Sequence, residues 1–70
     1  MSYSQAEISE MWLYVRTNRN ELLFQSDWSQ IPDNQLTEQK KSEWITYRQE
    51  LRDVTLQEDP FNINWPQKPD

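Results

Sequence analysis

The chain contains no cysteine, no histidine and no glycine, and each absence removes a class of chemistry. Without Cys there is no disulfide staple and no thiolate. Without His there is no imidazole base, and with both missing there is no ordinary zinc site. Without Gly there is no phosphate-cradling loop and no nucleophile elbow. Asp and Glu number 12, so a paired-carboxylate hydrolase is conceivable on composition. A chain of 70 residues hardly encloses a cleft that would desolvate such a pair. The expectation is a protein that is not an enzyme and carries no catalytic residue, cofactor or metal.

Positive charge and long apolar runs are also scarce. The formal net charge is −5, with acids and bases interleaved, which argues against nucleic-acid or anionic-membrane partners. No apolar stretch approaches the roughly 20 residues of a membrane span, and no signal-peptide pattern is present. The chain reads as a soluble intracellular protein.

Its length allows one small domain, residues 1–70, with a marginal core, because so short a chain buries only roughly 60% of its unfolded surface. Four Trp, three Tyr and two Phe are the material available to staple it. Each buried aromatic ring removes roughly 150–250 Å² from water.

Local signals predict two helices. Ser4-Gln5-Ala6-Glu7 fits a capping box that opens a helix over 5–25. Ile8, Met11, Trp12, Val15, Leu22 and Leu23 fall within about 120° of one another on a helical wheel, a normal core-facing stripe. Arg19 sits in the centre of that stripe. Either its stem covers the core while its head reaches an acid or a carbonyl, or it marks a binding face. Thr37 caps a second helix over 38–54, whose stripe is Trp44, Tyr47, Leu51 and Val54, with Arg48 beside Trp44 and Leu51. Asp27 is the expected acid for these arginines, and Asp53 a second candidate.

The linker, 26–36, is long for a tight hairpin and must be ordered by side chains of its own. Ile31-Pro32-Asp33-Asn34 carries turn signals, and Ser26 or Asp27 is placed to cap a short turn. Trp28 is expected to fold back as a largely buried plug near Leu23 and Trp44. The tail, 55–70, alternates Phe61-Asn62-Ile63-Asn64-Trp65 with period two, and no strand is available to pair with it. The expected arrangement is split: Trp65 and Pro66 dock on the hairpin, while 58–63 stays mobile, leaving Phe61 and Ile63 exposed. A tail packed wholly as core is the alternative.

Three ordered blocks stand out: "VRTNRNELLFQSDW", "WITYRQELRD" and "WPQKP". They are similar to the R-x-x-R-N-x-L-L-x-x-S-D-W, W-x-x-Y-R-Q-x-L-R-D and W-P-x-x-P blocks of the small phage tail assembly chaperone family. The matching positions include Arg16, Arg19, Asp27 and Trp28, then Trp44, Tyr47, Arg48, Leu51 and Asp53, then Trp65 and Pro66. Two departures are notable. Thr55 stands where family members often have Pro, so the second helix has room to run on. The first fourteen residues, with Trp12 and Tyr14, lie outside the blocks.

The resemblance implies a non-enzymatic, chaperone-like factor in bacteriophage tail or tail-fibre assembly. It implies another tail or tail-fibre protein as the partner and the cytoplasm of the infected host cell as the place of action. A structural component of the virion tail and a small regulator of a host protein remain the alternatives, and self-association stays open. The fold expectation is all-α: a two-helix antiparallel hairpin with an ordered aromatic linker and an extended Pro-rich tail packed partly across it. Trp12, Tyr14, Phe61 and Ile63 are the expected partner-binding residues.

Overall fold

The computed structural model describes residues 2–70. Among them are two α-helices, α1 (Gln5–Gln25) and α2 (Glu38–Arg52), two 3-10 turns (Asp27–Gln30 and Asp53–Leu56) and no strand. The helices form a hairpin.

Local side chains start both helices. Ser4 Oγ accepts from the Glu7 amide at 3.2 Å and Glu7 Oε1 accepts from the Ser4 amide at 3.0 Å, so two of the unpaired first-turn donors are satisfied reciprocally. Thr37 Oγ1 accepts from the Lys40 amide at 3.1 Å. The helix ends are dictated by the missing glycine. A left-handed cap residue suits Gly and strains other residues, and no described residue has positive φ. Each helix instead tightens into a 3-10 turn, which consumes the last carbonyls by shorter bonds. The Ser26 amide donates to the carbonyls of Leu22 and Leu23 at 3.2 and 3.1 Å. At the other end α2 stops at Arg52 and the 3-10 turn carries the chain to Leu56. This is slightly shorter as α-helix than the expected 38–54, and with Thr55 in place of a proline nothing blocks the continuation.

The molecule measures 48 × 16 × 16 Å. The short dimensions hold little more than two helices about 8–10 Å apart, so no interior is remote from solvent. Among the described residues the buried core consists of Val15, Trp44, Tyr47, Leu51 and Val54. Ile8, Met11, Trp12, Leu22 and Leu23 line the inner face of α1 half-buried. Trp12 therefore belongs to the core-facing stripe and is not an exposed residue.

Asn34 orders the linker. Its amide nitrogen donates to the carbonyls of Ser29 and Ile31 at 2.9 and 2.7 Å, and its oxygen accepts from the Leu36 amide at 3.0 Å. The tail turns at Asp59-Pro60, where Asp59 Oδ1 accepts from the Phe61 amide at 2.9 Å, an Asx turn with proline at its second position. Pro60 is buried, and Phe61 and Ile63 are half-buried rather than exposed. The backbone of Asn64 finds a partner after all: both its amide and its carbonyl bond the side-chain amide of Gln57, at 2.9 and 3.0 Å.

Candidate functional site

The hairpin closes on an arginine. Arg48 Nη1 lies 2.8 Å from the Leu23 carbonyl, 2.6 Å from Ser26 Oγ and 2.9 Å from Asp27 Oδ1. The Ser26 hydroxyl itself donates to the Leu23 carbonyl at 2.9 Å, and the Ser29 hydroxyl donates to the Ser26 carbonyl at 2.6 Å. An arginine in an apolar stripe is costly unless its donors are met, and the end of α1 supplies a carbonyl and a hydroxyl as acceptors where they are needed. The side chain of Asp27 is 59% exposed, so its ion pair is screened by water and contributes modestly. The bonds to Leu23 and Ser26 are the more protected part of the clasp.

The other charged candidates lie elsewhere. Arg19 is half-buried, and among the described residues its hydrogen bond goes to the neighbouring Asn20 side chain, at 3.2 Å, in place of the expected acid or carbonyl. Asp53 accepts from Gln49 at 3.1 Å, and Gln49 accepts from Arg52 at 3.1 Å, a network on the outer face of α2. Arg16 is exposed.

Beside the clasp the rings form a ladder. Trp28 meets Trp44 edge-on at 5.1 Å and 68°, and Trp44 meets Tyr47 edge-on at 5.6 Å and 85°, the geometry aromatic quadrupoles favour. Trp28 is nevertheless 45% exposed, which corrects the expectation of a buried plug. In the 3-10 turn the inward position belongs to Ser29, buried together with Ser26, and Trp28 covers Trp44 from outside. Trp44 is only 5% exposed. Its Nε1–H is the one buried side-chain polar atom among the described residues without a hydrogen-bond partner, a deficit of about 1–3 kcal/mol. Burial pushes the Tyr47 phenol up from its ordinary pKa. A groove of about 260 Å³ runs past Leu22, Trp28, Leu36, Trp44 and Tyr47.

A second aromatic surface lies at the N-terminal end of α1. Tyr3 stacks on Phe61 with ring centroids 3.7 Å apart and planes 11° from parallel. Next to this stack a shallow groove of about 310 Å³ is lined by Glu7, Glu10, Met11, Tyr14 and Phe61. Of the four expected partner-binding residues the structure brings Tyr14 and Phe61 together here. Trp12 and Ile63 do not line this groove. Sequence reasoning missed Tyr3, which stands before the helix start and outside every periodic pattern, and assigned Met11 to the core only. Trp65, 38% exposed, lies against α1 beside Asn18, Glu21, Leu22 and Gln25.

The clasp explains why the first two blocks occur together: "SDW" and "YRQ" are two halves of one contact, with Arg48 of the second block reaching Ser26 and Asp27 of the first. The family model for phage tail assembly chaperone proteins matches residues 12–70. The chain belongs to that family. The match starts at Trp12, so Trp12 and Tyr14 fall inside the family region although they precede the three blocks. No curated protein and no solved structure matches the chain.

Among the described residues no group of three or more acids is placed to hold a metal ion, and no helix is long and apolar enough to cross a membrane.

Proposed function

We propose that this chain is a non-enzymatic assembly factor that binds another tail or tail-fibre protein through the aromatic surface at the N-terminal end of α1. Membership of the tail assembly chaperone family over residues 12–70 supports the role in assembly. The observation that carries the surface is the groove joining Met11, Tyr14 and Phe61 from two distant parts of the chain. Tyr14 is 59% exposed and needs no rearrangement to be reached. An apolar patch of this kind, rimmed by Glu7 and Glu10, fits an interaction surface. Its work is to cover an apolar surface or open strand edge of a tail protein until that protein assembles, in the cytoplasm of the infected host cell. Trp12 and Ile63, both half-buried, are not part of this surface. Neither nucleic acid nor membrane is a partner in this reading.

The test is capture of tail proteins from infected cells by tagged chain. Wild type is expected to recover a tail or tail-fibre protein, and Tyr14→Ala with Phe61→Ala to lose most of it while keeping native helicity. Undiminished capture by the folded double variant overturns the surface. Recovery of a host protein and no tail protein overturns the role, and stoichiometric presence in purified particles marks a structural component instead.

A further inference from the structure

The groove beside the clasp is a separate surface at the linker end of the rod, and the N-terminal site does not use it. On the hairpin side it is lined by Trp28, Leu36, Trp44 and Tyr47, and on the other side by the chain's own Lys68, Pro69 and Asp70. Pro66-Gln67-Lys68-Pro69 has Pro-x-x-Pro spacing. Each proline fixes its own φ near −65° and biases the preceding residue, Trp65 or Lys68, to extended backbone. In a polyproline helix of three residues per turn the two prolines share one edge. Aromatic-lined grooves take such segments because ring faces pack on pyrrolidine rings while the segment's carbonyls remain free to accept. The ring-face half of that chemistry is on the surface, where Trp28 keeps much of its ring open beside the tail residues. The adjoining groove is lined by Glu43 and Glu50 of α2 as well as by Lys68, so acids border the place of a basic residue beside the proline.

We propose that this groove is a receptor for an extended, proline-bearing, basic segment of the partner tail protein, and that the chain's own residues 68–70 hold its edge in cis as a competitor. The inference rests on the chain having a tail-protein partner, and it names what the second contact with that partner recognises. Because the tail already borders the groove, an incoming segment must displace it, and the apparent affinity is reduced by the fraction of molecules in which the groove is open. The tail thereby covers aromatic surface until the partner arrives.

The probe is the synthetic peptide Asn-Trp-Pro-Gln-Lys-Pro-Asp, titrated unlabelled into the full ¹⁵N-labelled chain while the four indole N–H signals are followed. Trp28 and Trp44 should shift in a saturable way, and Trp12 should not. In full-length Pro69→Ala the cis competitor is weakened, so the peptide should bind about three- to tenfold more tightly. A peptide with both prolines replaced by alanine should bind more weakly to either chain. Pro69 is the penultimate residue, and circular dichroism establishes that the variant folds. No saturable shift of Trp28 or Trp44 at millimolar peptide in the variant overturns the proposal, as does equal affinity in the two chains. Shifts that grow with protein concentration alone would make a second copy the occupant and overturn it too. Peptide binding without capture of any tail protein would leave the groove chemistry standing and remove the assembly role. Capture without peptide binding would do the reverse.

Discussion

The side-chain amide of Gln57 pairs with the backbone of Asn64 as a neighbouring strand would, accepting from its amide at 2.9 Å and donating to its carbonyl at 3.0 Å. One glutamine thus does for the tail what no strand in the chain can do. It returns the segment after the Asp59-Pro60 turn to the hairpin, bringing Phe61 to Tyr3 on the way. Gln57→Ala should release this pairing. Both bonds are exposed, so the loss is about 1 kcal/mol, a fall in Tm of about 4–8 °C for a protein of this size. Hydrogen exchange at the Asn64 amide is the direct readout. Unchanged protection there would mean that the Tyr3–Phe61 stack holds the tail alone.

Arg48→Met removes two charge-assisted bonds, to the Leu23 carbonyl and to the Ser26 hydroxyl, in a largely buried position. The Leu23 carbonyl keeps the Ser26 donors, and the loss should be about 2–3 kcal/mol by urea denaturation. Asp27→Asn removes only the half-exposed ion pair and should cost less than about 1 kcal/mol. All three contacts are made by Nη1 alone, so Arg48→Lys, whose ammonium carries three donors on a different stem, should fall between the wild type and the methionine variant. Equal losses for Asp27→Asn and Arg48→Met would show that the ion pair, and not the helix-end bonds, closes the hairpin.

The two tryptophans of the ladder should separate in a denaturation experiment. Trp44→Ala empties the core and should cost about 3–5 kcal/mol, comparable to the whole stability of a chain this small. Trp28→Ala removes a ring that is already almost half in water, and about half that cost is expected. The Trp28 variant should therefore remain folded with a lowered midpoint, while the Trp44 variant loses native helicity at room temperature.

The N-terminal cap should titrate. Hydrogen bonds from the Ser4 backbone, and then from its side chain, hold the Glu7 carboxyl below the ordinary glutamate range. A folded-state pKa below the unfolded one means that the contribution is fully present above the unfolded value, about 4.3, and is lost as pH falls through the folded one. Amide protection over the first turn of α1, taken relative to the intrinsic exchange rate at each pH, should fall as pH drops through that window. Glu7→Gln keeps an acceptor for the Ser4 amide and should make that protection independent of pH over the same range.

What could be read from the chain before its fold, and what could not, divides by distance along it. Ser4 with Glu7, and Thr37 with the Lys40 amide, meet partners three residues away, so both helix starts are legible in the residues themselves. The inner stripe of α1 and the Trp44, Tyr47, Leu51 series follow from helical period alone, and an arginine inside such a stripe demands acceptors wherever they are. That the acceptors would be Leu23 and Ser26, for Arg48 and not for Arg19, depends on which arginine stands opposite the end of α1, a matter of how the helices meet. The same holds for the linker and tail. Trp28 is more apolar than Ser29, and composition favours burying it. In a 3-10 turn only one side faces the hairpin, and the register given by the end of α1 turns the small Ser26 and Ser29 inward and the large ring outward. The Gln57–Asn64 pairing and the Tyr3–Phe61 stack join residues with no shared pattern. Amino-acid order alone determined the helices, their caps and the family's blocks. Which rings are covered, and which remain open to a partner, was decided only when two narrow helices packed side by side with too little interior to hide every aromatic residue.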